Sequence, residues 1–334
     1  MKATAMHRVL VVGTGSIGER HLRCLLATGR VTAGMVEVNP KLRQDVAQRY
    51  SVPEVFDSLE AALKKSWSAA VIATPASMHV QQARQVADAG LNFLLEKPVS
   101  ISLDGVDALL EKVRAKKLVV SVGYTHRAHP ALTAMRAAVR SGRFGRPLQL
   151  IGLCGQHFPT FRPAYRQTYF TRHASGGGAI QDMLTHVFNA GEWLVGPIEK
   201  VCADARHQFL DGVEVEDTAH VMTRQGGVLG CYTLNMYQAP NEVAISVVCE
   251  RGTARYEVPQ HRWRWMDQPN SDWHEEPFPL KERDDWFILQ EQRYLDALEG
   301  KSEPLCSLAD GIQTLRVNLA ALASVRDGQW KPVA

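Results

Sequence analysis

The 334-residue chain has almost no excess of charge of either sign: 38 Lys and Arg against 35 Asp and Glu leave +3. It also has no Lys/Arg block, so the basic face that a nucleic-acid partner requires is missing and that class is excluded. No apolar run approaches the ~20 residues of a membrane span, which excludes a membrane partner. Six cysteines (Cys24, Cys154, Cys202, Cys231, Cys249, Cys306) form no C-x-x-C pair and no metal-ligand spacing. Neither a disulfide framework nor a metal site is therefore expected. Near the N-terminus, Lys2 is followed by His7 and Arg8, and the apolar run Val9–Val12 ends in glycine. That is too short for a secretory signal, and reduced thiols in a cytoplasmic protein are expected.

What is present is a globular composition, 45% hydrophobic and 22% charged, with 25 Gly and 16 Pro. At ~100–200 residues per domain the length suggests two domains. Over the first third, short apolar runs (Val9–Val12, Ala33–Val38, Ala69–Ala73, Phe93–Leu95, Leu118–Val122) alternate with helical patterns. Continuous apolar strands separated by helices signal a parallel sheet covered on both faces, here a doubly wound α/β domain over residues 1–125. Residues 126–334 read differently, with successive strand-like runs joined by glycine turns: Leu148–Leu153, Val201–Arg206, Ala219–Thr223, Val228–Leu234, Val243–Cys249 and Ala254–Val258. Helices are expected over Ala131–Arg140, over Ala179–Leu194 and over 308–325 at the end. This half is α+β with a mixed or antiparallel sheet.

Gly13-Thr14-Gly15-Ser16-Ile17-Gly18 directly follows Val9–Val12 and opens the helical stretch Glu19–Ala27. That order suits a dinucleotide: Gly13 permits the tight turn, Gly15 admits backbone N–H groups to a pyrophosphate, and Gly18 lets helix and strand pack closely. The helix N-terminus adds partial positive charge. Glu37 ends the second apolar run, 19 residues after Gly18, where an acid accepts both ribose hydroxyls. A carboxylate there repels a 2′-phosphate, so NAD is favoured over NADP, with Lys41 and Arg43 near enough to soften the choice. Without a ligand, the same residues are an ordinary strand-to-helix turn.

Phe93–Leu95 runs into Glu96-Lys97-Pro98. Ligands of such sheets bind outside the carboxyl ends of the strands, where Lys97 falls, and Pro98 keeps the backbone at Lys97 extended. A solvated loop lysine is the plainer account of the same position. Thr74-Pro75 ends the neighbouring run on the same rim, and is otherwise a proline-initiated turn. Further along, Gly176-Gly177-Gly178 precedes a helix on which Ile180, Leu184, Val187, Gly191 and Leu194 form an apolar stripe. Asp182, His186, Asn189 and Trp193 form a second stripe, with Asp182 and His186 at i and i+4. Histidine is the natural group to move a hydroxyl proton, and an adjacent carboxylate orients it. The alternative is a surface Asp–His pair on an amphipathic helix.

Together, Gly13–Gly18, Glu37, Thr74-Pro75 with His79, Glu96-Lys97-Pro98 and the glycine-preceded Asp182-x-x-x-His186 resemble the Gfo/Idh/MocA oxidoreductase family. Secondary matches are the stretch Gly123–Pro130 with Tyr124 and Arg127, the Gly252-Thr253 turn, and Asp310-Gly311. The resemblance spans nearly the whole chain, and its most specific parts are E-K-P and D-x-x-x-H. It implies an N-terminal Rossmann domain and a C-terminal α+β domain whose large open sheet often forms the oligomer interface, hence a homodimer or homotetramer. It implies NAD(P)-dependent chemistry on a secondary alcohol of a sugar, inositol or related polyol. Cofactor contacts then fall to Gly13, Thr14, Gly15, Ser16, Ile17, Gly18, Glu37, Thr74, Pro75, His79, Glu96 and Lys97. By the same resemblance His186 is the general base in the oxidative direction, Lys97 stabilises the developing alkoxide, and Asp182 completes the set. Glu37 stands where many members carry Asp.

The segment Phe161–His173 brings Arg162, Arg166 and Arg172, with Tyr165 and Tyr169, just before the Asp–His helix. Arginine forks suit carboxylate or phosphate, so an acidic sugar derivative is one substrate class; arginines covering apolar loop surface is the other account. His157, Tyr124 and Arg127 complete the expected substrate contacts. Four of the seven Trp (Trp263, Trp265, Trp273, Trp286) are expected to pack at an oligomer contact or a cleft rim. Three functions remain in play. One is net dehydrogenation; another is a redox-neutral cycle in which recycled NAD enables elimination, hydrolysis or epimerisation. The last is a non-catalytic NAD sensor, which would be expected to lack the lysine or the histidine.

Overall fold

A computed structural model describes residues 6–334, so Lys2 and the first residues of the expected N-terminal domain lie outside the described residues. The chain divides into two units. One runs to Ala128 and adds Lys281–Gly311; the other holds His129–Leu280 and Ile312–Ala334.

In the first unit six parallel strands, β1 (His7–Val12), β2 (Val31–Val36), β3 (Glu54–Phe56), β4 (Ala69–Ile72), β5 (Asn92–Leu95) and β6 (Val120–Val122), lie in the order β3-β2-β1-β4-β5-β6. Val9–Val12 and Ala69–Ile72 are buried along their whole length, as strands covered on both faces must be. The crossovers are α1 (Ser16–Ala27), α2 (Pro40–Tyr50), the short α3 (Leu59–Ala62), α4 (His79–Asp88) and α5 (Val106–Ala115). Asn39 and Ser58 cap α2 and α3 through their side chains, and Pro40 takes the first helical position. The strand order reverses between β1 and β4, which places the glycine loop and Thr74-Pro75 at one switch point.

The return of Lys281–Gly311 to this unit corrects the expectation that everything after residue 126 is one domain. Its helix α9 (Arg283–Leu298) inserts Tyr294 and Leu295 into the core of Val9, Val11, Leu22, Leu25 and Leu94. Ion pairs of Arg20 and Arg23 with Asp284, and of Arg30 with Asp296 and Glu299, join α9 to the α1 region. α9 escaped sequence reading because its buried positions include Gln290 and Glu291 as well as apolar residues, which blurs the 3.6-residue pattern.

The second unit is a nine-stranded sheet in the order β14-β13-β12-β11-β7-β10-β9-β8-β15. Its strands are β7 (Pro147–His157), β8 (Lys200–Arg206), β9 (Thr218–Gln225), β10 (Val228–Asn235), β11 (Tyr237–Cys249), β12 (Gly252–Glu257), β13 (Arg262–Met266), β14 (His274–Pro277) and β15 (Lys331–Pro332). All pairs are antiparallel except β7 with β10, so the sheet is mixed, as expected. Burial alternates along β9 and β10, the signature of a sheet with one covered face. Beneath the covered face lie α6 (Pro130–Arg140), α8 (Thr185–Val195) and the later part of α10 (Leu308–Asp327). Leu148, Ile151, Met222 and Leu229 stand exposed on the chain's surface. Trp263 is a core residue, 3% exposed and stacked on Trp265 at 4.4 Å, rather than part of a rim.

Candidate active site

The loop from Gly13 to Gly18 connects β1 to α1, and the close packing it needs is explicit. A Cβ on Gly18 would stand 1.9 Å from the Gly13 carbonyl oxygen. Gly15, the residue before α1, offers no side-chain cap to the first N–H groups of the helix. A Cβ on Gly15 would meet nothing within 4 Å. Uncapped donors behind open space fit a pyrophosphate. Thr14 is fully buried, and its N–H (2.9 Å) and hydroxyl (3.2 Å) both donate to Glu37 Oε2. Glu37 Oε1 accepts the Asn39 N–H at 2.9 Å, so the acid is locked at the end of β2 beside the loop. Arg43 donates to the Glu37 carbonyl and Lys41 pairs with Asp45, so both cations are engaged on α2's own surroundings.

Thr74 follows β4, and its hydroxyl donates to Gln82 at 2.5 Å. The buried His79 ring lies between the carbonyl oxygens of Thr74 and Pro98, 2.8 Å from each, and burial holds its pKa down. The ring therefore packs between the exit of β4 and the backbone just after Lys97, and as a neutral imidazole donates its one N–H to one of these carbonyls. Lys97 itself is half-buried, and the Lys97–Pro98 peptide is cis. Glu96, expected as a cofactor contact, instead turns inward. Its Oε2 accepts the Lys97 N–H at 3.0 Å and its Oε1 meets His21 Nε2 at 2.7 Å. His21 Nδ1 meets Glu291 Oε1 at 2.6 Å. With a carboxylate at each nitrogen, both must donate, so the ring is an imidazolium. Burial alone would lower its pKa, but Glu291 and Glu96 outweigh that and raise it to about 10. Tyr124 is buried after β6, and Arg127 is buried against Asp310 and the Leu305 carbonyl, both 3.1 Å away. Arg127, expected to touch substrate, has a structural ion pair in this unit.

In the second unit, the expected helix begins with a π-helical turn over Ile180–Leu184 before continuing as α8. Such turns recur at functional sites because the wider winding re-aims side chains. The turn carries Asp182, 2% exposed, with half-buried His186 a turn further on. The surface-pair reading is thereby removed for Asp182. Asn189 of the same stripe is buried and donates to Thr314 at 2.9 Å.

Residues 158–176 run as short turns in front of this helix, starting with α7 (Phe158–Phe161). Tyr169 donates its hydroxyl to Asp182 Oδ1 at 2.6 Å, and the Asp182 charge raises the pKa of the Arg162 guanidinium. Arg162 packs over the Phe158 ring at 5.5 Å. Next to it, His157 lies 4.6 Å from the Tyr237 ring, which lies 4.4 Å from Phe209. Tyr169, Tyr237, Phe209 and Phe161 are all substantially exposed, an unusual density of open aromatics. Arg166 is held by Asp211 at 3.2 Å and Arg172 stands 3.9 Å from Glu214, so of the three expected arginines only Arg162 is drawn to Asp182.

Sequence reading missed the anchor of this segment. Buried Glu216 accepts the Ile180 N–H at 2.9 Å and pairs with His173, which raises the His173 pKa. Gly178 has a φ of +97°, and a Cβ there would stand 2.6 Å from Glu216 Oε1. The close approach of this acid is why Gly178 carries no side chain. Among the described residues no group of three or more His, Cys, Asp or Glu is placed to hold a metal, and no helix is long and apolar enough to cross a membrane.

A doubly wound sheet with an uncapped glycine-opened helix at its switch point, and an acid locked at the end of the second strand, defines a dinucleotide-binding domain. Residues 7–124 match the oxidoreductase family with an NAD-binding Rossmann fold, and residues 132–255 match the GFO/IDH/MocA C-terminal domain. The chain belongs to the Gfo/Idh/MocA family of NAD-binding oxidoreductases.

It is 27% identical over 170 residues to levoglucosan dehydrogenase of Pseudarthrobacter phenanthrenivorans, a match spanning 51% of this chain and 44% of that protein. It is 26% identical over 269 residues to inositol 2-dehydrogenase of Corynebacterium glutamicum, spanning 78% of this chain and 76% of that one. Among solved structures, the WlbA dehydrogenase of Bordetella pertussis in complex with NADH and UDP-GlcNAcA superposes with a TM-score of 0.84. That match has 25% identity and covers 98% of each chain.

Proposed function

We propose that the protein is an NAD-dependent dehydrogenase acting on a secondary alcohol of a sugar, a polyol or an acidic sugar derivative. The observation that carries this reading is the buried Asp182 at the π-helical turn, bonded by Tyr169 and attended by Arg162, one turn from His186. A carboxylate of this kind suits the orientation of a histidine and of a substrate hydroxyl rather than mere packing. The names of the relatives, which describe sugar, inositol and UDP-sugar dehydrogenases, support the substrate class.

In this reading bound NAD supplies the hydride acceptor. The uncapped start of α1 receives its pyrophosphate, and Glu37 receives its ribose hydroxyls. His186 takes the hydroxyl proton, Asp182 orients the alcohol and the imidazole, and Lys97 stabilises the oxygen as negative charge develops on it. Arg162 and the open rings of Tyr169, Tyr237 and Phe209 contact the remainder of the substrate, where an apolar sugar face meets an aromatic one and an acidic group meets the guanidinium. We also propose a homo-oligomer formed through the exposed apolar residues of the second sheet. We also propose a cytoplasmic setting, in which thiols such as these stay reduced.

The test mixes the protein with excess NAD and a panel of neutral polyols, inositols, aldoses, acidic sugars and UDP-sugars, following reduced-nicotinamide absorbance and products in parallel. Absorbance rising far beyond the enzyme concentration with one compound class establishes the dehydrogenase. Product forming while absorbance stalls at the enzyme concentration replaces net oxidation with a redox-neutral cycle. NADH binding without product from any compound overturns the reading.

A further inference from the structure

We infer that His21, clamped between Glu96 and Glu291, is a positioning residue that sets the backbone of Lys97 relative to the helix receiving the cofactor. This rests on the role proposed above for Lys97. The geometry is continuous. Glu291 Oε1 lies 2.6 Å from His21 Nδ1, His21 Nε2 lies 2.7 Å from Glu96 Oε1, and Glu96 Oε2 accepts the Lys97 N–H at 3.0 Å. On the far side of Lys97, the Pro98 carbonyl oxygen lies 2.8 Å from Nδ1 of the buried His79 ring. The lysine is therefore borne on backbone fixed from both sides.

The three groups come from three elements, two of which, α1 and α9, are also joined by the ion pairs of Arg20 and Arg23 with Asp284. His21 stands on α1, three residues after the last glycine of the nucleotide loop; Glu96 directly follows β5; Glu291 lies on α9. All are buried, His21 and Glu291 completely, and Phe287 walls the imidazole edge-on at 6.0 Å. Among the described residues Glu291 Oε2 has no hydrogen-bond partner, and Oε1 meets the His21 imidazolium. Replacing a buried charge cluster by apolar residues of like volume often costs no stability. What such a cluster supplies is direction: each hydrogen bond has one length and one angle, and a chain of them transmits the placement of α1 and α9 to a single peptide group. Burial opposes the charge on Glu96, yet the His21 hydrogen bond and charge keep its carboxyl below the usual range, so the acceptor for Lys97 stays ionised.

The test compares the full-length NADH-bound protein with His21→Gln and, separately, Glu291→Gln. The direct readout is amide hydrogen exchange at Lys97, referenced to the β4 amides of Ala70 and Val71. Positioning through the triad predicts about tenfold or faster exchange at Lys97 with the β4 amides little changed. With a responding substrate it further predicts a fall in kcat of about tenfold to a hundredfold, with NADH affinity held to within roughly threefold. If Lys97 exchange stays at its original rate in whichever variant folds, the inference is overturned, whatever the substrate panel returns. If exchange accelerates selectively while the unaltered protein turns over no alcohol, the positioning stands and the dehydrogenase reading falls. A loss of thermal stability with exchange raised equally at every amide overturns it in favour of a purely structural cluster.

Discussion

Glu96 and Asp182 are both buried acids, 5% and 2% exposed, and each unit of the chain neutralises its own in a different way. Glu96 is satisfied from within, by an imidazolium on a neighbouring helix and by the next peptide N–H. Asp182 is attended from the surface, by the hydroxyl of exposed Tyr169 and the guanidinium of exposed Arg162. The first arrangement is closed and suits holding something still. The second draws on residues that reach solvent and suits meeting something that arrives. Two acids of similar burial thus sit in a closed setting and an open one, and burial alone does not separate them.

Six substitutions break or sharpen that contrast. The largest effect falls on the proposed chemical groups. His186→Ala and Lys97→Met should each lower turnover about a thousandfold or more, with NADH affinity, measured by fluorescence titration, nearly unchanged in His186→Ala. Gly18→Ala comes next. Its Cβ would overlap the Gly13 carbonyl, so unfolding free energy should fall by about 2–4 kcal/mol and NADH binding should weaken with it, by urea titration and by fluorescence. Tyr169→Phe removes one donor to a charged acceptor. It should reduce kcat/KM by about tenfold to a hundredfold, with the melting temperature within a few degrees of the parent because Tyr169 is exposed.

The smallest effect is a pH dependence of stability. His21 is raised from 6.5 to about 10 in the folded protein, so the folded state binds its proton more tightly than the unfolded chain. Its stabilisation is complete below pH 6.5 and drains away as pH rises through about 10. The urea midpoint should therefore fall between those values in the parent and stay flatter in His21→Gln. His173, raised by Glu216, acts with the same sign, but it is about half exposed and solvent screens it, so His173→Gln should leave that slope close to the parent's.

The glycine loop, Glu37 and the βα alternation were readable because local patterns carry them: strand periodicity, turn glycines and helix starts are properties of neighbouring residues. The Asp182 helix was readable as a helix, but its π-helical first turn and deep burial were not, since its apolar stripe also suits a half-exposed amphipathic helix. Arg162 was singled out together with Arg166 and Arg172, and nothing in the spacing separated them. The structure did so by spending Arg166 on Asp211 and setting Arg172 beside Glu214. His21 carried no local signal at all, because its partners lie 75 and 270 residues away in the chain.

By itself, the sequence determined a parallel α/β half with a dinucleotide loop and an α+β half after it. Tertiary structure alone decided that Lys281–Gly311 returns to the first half, that Glu96 faces inward to an imidazolium, and that Asp182 is buried under Tyr169. The physical reason is range. Backbone preference and hydrophobic period act over a few residues and are written along the chain. The partner of a buried charge is chosen by which distant side chain can reach it once water has been excluded.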